Sequence, residues 1–257
     1  MRYFTLGYRL PHFLSAPLFG DRQRFGLHVQ PNDPCWQEWE KIMPLAYDET
    51  QKKSVGAIVN NAGYQVMSQM DITGKTVLEI GPGDINHIAC WQGLPERYFM
   101  ADIRSDMLER SARKLEKKGI PYSIALLDSR KIGSLPFKDH QFDVIVSFYS
   151  LEHLYPLSSY LREFLRVLKP NGYLIGAIPC EGGLAWGGGR FLTSRRWFKR
   201  HTQINPDKII CWEHPNFADT VLQTLDSYMT QKYLSYWPLG IPAIDFNLIV
   251  KFVYAKS

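Results

Sequence analysis

Apolar residues follow two alternating rhythms along this chain. Short runs rich in Val, Ile, Leu and aromatics, at 76–80, 98–101, 122–127, 143–148 and 173–178, have the length and composition of buried strands. The stretches between them carry amphipathic spacing. Ser105 is placed to cap one helix, with Asp106 in its first turn and Lys117, Lys118 and Gly119 at its end. Ser158 is placed to cap another, in which Leu161, Phe164, Leu165 and Leu168 form a core stripe before Lys169-Pro170-Asn171-Gly172 stops it. A further helix is expected over 85–92. Upstream, Val55, Ile58, Val59, Ala62, Val66 and Met70 predict a helix over about 48–69, weakened by Gly56 and Gly63. Downstream, 216–229 reads as a helix, and 233–237 and 244–254 as an antiparallel strand pair at one sheet edge. Strands alternating with helices predict an α/β fold: a parallel sheet with right-handed crossovers and helices on both faces.

Outside this pattern, Pro11, Pro17, Pro31, Pro34 and Pro44 punctuate the first 46 or so residues. Trp36 and Trp39 add aromatic mass, so an irregular arm packed over the domain is expected. Arg2, Tyr3, Phe4, Tyr8 and Phe13 leave room for peripheral contact with a lipid surface. With 257 residues, one domain is the default reading. Its parts are an arm and helix (1–70), a ligand-binding core (71–180), a covering insertion (181–212) and a C-terminal helix with the strand pair (213–257). At 45% hydrophobic and 21% charged residues the chain is neither disordered nor fibrous, and a net charge of +5 does not call for nucleic acid. Cys35, Cys90, Cys180 and Cys211 have neither CxxC nor zinc spacing. No signal-peptide core forms and no apolar run reaches the roughly 18 residues of a membrane span. A cytoplasmic protein is expected.

The first strand ends in Gly81-Pro82-Gly83, where the backbone can turn with positive φ and let a ligand lie on bare main chain. Strand, glycine turn and helix make a nucleotide cradle. Glu79 before the turn and Asp84 after it repel a pyrophosphate and favour a cation. Asp102 follows about 20 residues on, where a carboxylate meets ribose hydroxyls. S-adenosylmethionine (SAM), an adenosine with a sulfonium and no phosphate, fits such a turn.

Here the chain resembles the class I SAM-dependent methyltransferases, over about 71–179. Their first motif is similar to 77–83, although Ile85 stands where the family often has a third glycine. The resemblance implies a Rossmann-like sheet with SAM as cofactor and S-adenosylhomocysteine (SAH) as product. It implies that Glu79, Gly81, Gly83, Asp84, Asp102, Ile103, Asp128, Ser129 and Ser147 line the cofactor, Asp128 and Ser129 near the adenine and Ser147 near the methionine part. Leu151-Glu152-His153-Leu154 follows the fourth strand, near the transferred methyl, and His153 is the candidate base for a hydroxyl acceptor. Some quinone-pathway O-methyltransferases carry a further glutamate three residues before the Glu-His pair and bind a metal there. Tyr149 holds that position, so no metal is expected. Ser147-Phe148-Tyr149-Ser150 also differs from the Asn/Asp-Pro-Pro-Tyr pattern of nucleic-acid-base and glutamine methyltransferases.

The basic, aromatic stretch after the fifth strand lies where the family places substrate-covering insertions. Tyr149, Trp186, Arg195, Arg196, His214 and Asp245 are the candidate acceptor contacts, because aromatics stack on rings and arginines pair with phosphates. Glycines between Gly182 and Gly189 suggest a segment that moves on acceptor binding. The reading is O-methylation of a small-molecule acceptor, such as a sugar in a glycan or secondary-metabolite pathway. The alternatives are N-methylation of a small amine, or a SAM-binding regulatory protein without activity.

Overall fold

The computed structural model describes residues 3–50 and 54–256, without the side chains of 44–50, 54 and 55. The apolar runs become β1 (Thr76–Ile80), β2 (Arg97–Asp102), β3 (Tyr122–Leu126), β4 (Phe142–Phe148) and β5 (Leu168–Pro179), all parallel. They are joined by β6 (Thr230–Trp237) and β7 (Ile249–Ala255), which are antiparallel. Among the described residues these form one seven-stranded sheet in the order β3-β2-β1-β4-β5-β7-β6. Alternate residues of a central strand enter different cores. Leu78, Ile145 and Leu174 face one, with Leu161, Phe164 and Leu222; Val77, Val144, Val146 and Ile175 face the other, with Met67, Leu108 and Leu115. Burial on both faces is why these strands read as continuous apolar runs. The register brings the strand ends to one edge: Ile80 lies opposite Ala101, Asp102 opposite Leu126, and Ser147 opposite Gly176. Gly176 is required there, since a Cβ would lie 1.8 Å from the Ser147 carbonyl oxygen.

The first stretch is more regular than its prolines suggest. It forms α1 (His12–Phe19), α2 (Arg22–Phe25) and α3 (Pro34–Thr50), so the expected irregular arm is largely helical. Asp21 caps α2 by accepting from Arg24 N. The helix expected over 48–69 is α4 (Ser54–Tyr64) followed by a 3-10 helix, Gln65–Gln69. The part at 51–53 lies outside the described residues, as does the Val55 side chain. Ile58 is 60% exposed, so the stripe that packs is Val59, Ala62, Val66 and Met67.

Both expected serine caps are displaced. Arg104 and Pro156 stand at the N-caps of α5 (Ser105–Lys117) and α6 (Leu157–Val167), neither with a side-chain bond. The glycine-rich segment winds into α7 (Leu184–Leu192), followed by α8 (Ser194–His201), α9 (Pro206–Glu213) and α10 (Ala218–Tyr228). The strand expected over 244–254 starts late, with a 3-10 turn at Ile244–Phe246 before β7.

Candidate functional site

The glycine turn at the end of β1 has the left-handed backbone its residues permit, with φ of 66° at Gly81 and 55° at Gly83. Ile85 adopts φ 40° as well. A β-branched residue resists that conformation, but full burial in the Met67–Leu108 core offsets the strain. Beyond it, the expected helix over 85–92 is only a 3-10 helix, Asn86–Cys90. Among the described residues the turn thus leads into a 3-10 helix and not into the α-helix N-terminus that commonly cradles a pyrophosphate. Groups from elsewhere fix the loop. Ser150 Oγ donates to the Ile80 carbonyl at 3.0 Å, Ser111 Oγ to the Gly83 carbonyl at 3.0 Å, and Lys114 Nζ reaches the Asp84 carbonyl and Asn86 Oδ1.

Glu79 takes a different place from the one expected. It is fully buried, and its oxygens accept from Tyr98 OH and pair with His87 Nε2, each at 2.8 Å; Trp91 Nε1 donates to His87 Nδ1 at 2.9 Å. The carboxylate therefore braces the underside of the turn, fully buried and with each oxygen engaged by a protein group. Asp84 lies 3.6 Å from Lys114, which meets part of its charge. Asp102 accepts from Arg104 N at 2.9 Å, and burial lifts its carboxyl to about 6. Ile103 beside it is exposed. Hydrogen bonds from Arg130 hold the Asp128 carboxyl near 2, and Ser129 is exposed next to it. Gly81, Gly83, Asp84, Asp102, Ile103, Asp128 and Ser129 thus share the carboxyl edge of β1, β2 and β3. Ser147 is wholly buried with its hydroxyl unpartnered, so it does not line an open surface.

The loop after β4 carries the second group. Tyr149 has φ 54°, and its hydroxyl donates to the Asn60 carbonyl at 2.8 Å. That hydroxyl ties the loop to α4, packed over Gly63, and is spent on the fold rather than facing an acceptor. Asn216 clamps the next residues through the carbonyls of Leu151 and Leu154, and its N–H donates to the Glu152 carbonyl. Glu152 is 2% exposed, with Oε2 unpartnered, and burial raises its carboxyl to about 7. The His153 side chain is 36% exposed; its Nδ1 meets the Glu213 carbonyl, and its Nε2 lies 4.0 Å from Glu152 Oε1. His214, from the end of α9, brings its ring to 4.7 Å from that of His153. Burial and the charge of Arg190 push its imidazole down to about 4, against the pull of Glu181.

Glu181 closes the group from behind. Arg190 donates to both its oxygens, at 2.7 and 2.5 Å, and Trp186 Nε1 donates at 2.9 Å. His214 Nδ1 is 3.1 Å away, at ion-pair distance but not aligned as a hydrogen bond. Burial opposes ionisation of Glu181, yet Arg190 and His214 outweigh it and hold the carboxyl well below the usual range. His153 and His214 lie beside Glu152, and His214 and Trp186 beside Glu181; Glu152 had entered only as part of the Glu-His motif and Arg190 only as one of the basic residues after β5, while Glu181 and Asn216 were not singled out. Arg195 and Asp245 stand apart. Arg195 is buried against Asp207 and the Ala16 carbonyl, and Asp245 accepts from Leu6 N and Leu184 N, so each ties elements together. Arg196 is exposed. A groove of about 610 Å³ lined by Lys75, Asp143, Lys169 and Lys232 lies at the opposite edge, where the strands begin, and plays no part here.

The carboxyl edge of this sheet thus carries a glycine turn and a buried strand-end acid, at the edge where open α/β sheets bind ligands. A methyltransferase domain model matches residues 78–176. The chain is 32% identical over 163 residues to arginine-hydroxylase NDUFAF5, mitochondrial, of Danio rerio, a stretch covering 62% of this chain and 47% of that protein. It is 33% identical over 108 residues to the ubiquinone/menaquinone biosynthesis C-methyltransferase UbiE of Shewanella sediminis, covering 40% and 41%. The matched stretch thus spans less than half the length of these curated relatives. Among solved structures, the fold is similar to N-methyltransferase NodS from Bradyrhizobium japonicum WM9 in complex with SAH, with TM-score 0.55 and 17% identity, covering 87% of this chain and 99% of that one. It is also similar to an S-adenosylmethionine-dependent methyltransferase from Mesorhizobium loti, with TM-score 0.50 and 14% identity, covering 75% and 95%. Residues 78–176 thus match the methyltransferase domain family, on a fold shared with SAM-dependent methyltransferases of known structure.

Proposed function

We propose that this protein transfers the methyl group of SAM to a hydroxyl of a small-molecule acceptor, such as a sugar in a glycan or secondary-metabolite pathway. The observation that carries the reading is the pair His153 and His214 beside Glu152, after β4, next to the cofactor edge. The Glu213 carbonyl at His153 Nδ1 favours the proton there and leaves Nε2 as the accepting nitrogen. A hydroxyl is a weak nucleophile near neutral pH, and loss of its proton as the methyl arrives lowers the barrier. Gly81, Gly83, Asp84, Asp102, Ile103, Asp128 and Ser129 would hold the adenosyl ligand. Trp186 and the exposed Arg196 lie on the segment 181–212 that covers the acceptor side in this reading. The four thiols are free, which suits a reducing, cytoplasmic setting, and no described helix is long and apolar enough to cross a membrane.

The test uses methyl-labelled SAM with pools of free, nucleotide-linked and lipid-linked sugars. Label should appear on a hydroxyl. His153→Ala should lower kcat about 10²–10⁴-fold while SAH binding persists. Label on nitrogen or carbon would overturn the hydroxyl assignment, and a His153→Ala variant with full kcat would return that histidine to a structural role.

A further inference from the structure

Tyr149 leaves the Glu-His pair after β4 without a third ligand in its own segment, but folding supplies one from far along the chain. One ligating atom from each of Glu152, His153 and His214 lies within 4.8 Å of the others. We propose that these three side chains bind a divalent first-row transition-metal ion. A tetrahedral set with metal bonds of about 2.1 Å needs ligand separations of roughly 3.4 Å. The Glu152 Oε1 to His153 Nε2 distance is 4.0 Å and the others are within 4.8 Å, so side-chain rotations must draw the ligands in by up to about 1.4 Å.

Three features distinguish this group from an ordinary polar cluster. Glu152 is almost wholly buried, and its Oε2 has no hydrogen-bond partner; a buried carboxylate in that state calls for a cation. His153 Nδ1 also meets the Glu213 carbonyl, which favours the tautomer whose Nε2 lone pair is free, as outer groups prepare histidine ligands. His214 Nδ1 is buried without a hydrogen-bond partner, 3.1 Å from Glu181, which Arg190 and Trp186 lock in place. Finally, the His153 side chain is partly open to solvent, giving an ion an entry path and a free coordination position.

Two imidazoles and one carboxylate suit zinc, iron, cobalt or manganese better than magnesium or calcium, which favour all-oxygen sites. The site stands on this geometry alone, whereas its role rests on the methyl-transfer reading. A bound ion would acidify a coordinated acceptor hydroxyl, making His153 a ligand instead of a free base.

The test is metal binding, read without any methyl transfer. Metal-stripped full-length protein is titrated with Co²⁺, following visible absorption and calorimetry, then challenged with Zn²⁺, Mn²⁺ and Mg²⁺. The expected result is one Co²⁺ per chain with low-symmetry visible bands. Zn²⁺ should displace it and Mg²⁺ should not. Glu152→Gln and His214→Gln should each weaken Co²⁺ binding by at least tenfold, while circular dichroism and SAH binding show both variants folded. His201→Ala, an exposed histidine on α8, should bind as the parent does. Absence of Co²⁺ binding, equal displacement by Mg²⁺, or unchanged binding in both folded variants would overturn the site. Because SAH binding is measured separately, loss of the metal result leaves the methyltransferase reading intact, and the reverse also holds.

Discussion

Asp102 carries the most direct residue-scale test. Burial raises its carboxyl from 3.8 to about 6, yet ribose hydroxyls would donate to the ionised form. Two consequences have opposite signs. Without ligand, the folded chain holds this proton where the unfolded chain has lost it, so the Asp102 contribution to stability falls as pH rises from about 4 to 6. Ligand binding needs the charge, so SAH affinity should weaken as pH drops through about 6, approaching tenfold per unit below it. Calorimetric titration of SAH between pH 5 and 8 checks this, and a flat profile would remove Asp102 from the ribose. Asp102→Ala should cost about 1–3 kcal/mol of SAH binding and flatten the profile. The place of Asp102 at the end of β2, on the same edge as the glycine turn, was legible in the sequence because the acid closes an apolar run about 20 residues beyond that turn. Glu79 misled for a related reason: chemistry and spacing suit a ligand, but Tyr98 and His87, which claim its oxygens, are brought there only by the fold.

At the scale of elements, the covering segment divides into structural and accessible parts. Arg195 and Arg196 are neighbours on α8, but one is buried on Asp207 and the other exposed. Arg195→Ala should lower stability by about 2 kcal/mol, the worth of hydrogen bonds to a charged group, as read by urea unfolding. Arg196→Gln should leave unfolding unchanged and raise the acceptor KM. Equal effects on unfolding would mean that the two side chains share one environment. The central strands β1 and β4 were legible because burial on both faces leaves an unbroken apolar run. The helix boundaries were less so. Ser105 and Ser158 have the chemistry of caps, but the chain enters each helix one or two residues earlier. Ile85 shows why the expected helix over 85–92 fails: its left-handed backbone sends the chain into a 3-10 turn packed on Met67 and Leu108. His214 was read only as an acceptor contact, because its nearness to Glu152 depends on the clamp made by Asn216.

Across the whole molecule, the first residues fasten onto the last third of the chain. Tyr8 OH and Thr5 Oγ1 reach Asp219 Oδ2 at 2.6 and 3.2 Å, and Leu6 N is held by Asp245. Asp219 is almost fully buried, so Tyr8→Phe should cost about 1–3 kcal/mol in urea unfolding; no change would mean that Thr5 and Arg9 suffice. Such long-range closure could not be read from local patterns, and the proline-rich stretch that supplies it looked irregular for that reason. The strand order has a consequence for synthesis. β7 lies between β5 and β6, yet it is made after both. Until residues 249–255 emerge, β5 has a bare edge and β6 has no neighbour to pair with. A nascent chain therefore passes through a stage with an open slot one strand wide, which the corresponding strand of another copy fits equally well. Strand-exchanged dimers are therefore the expected by-product of folding at high chain concentration, and size-exclusion chromatography after refolding over a range of concentrations checks for them.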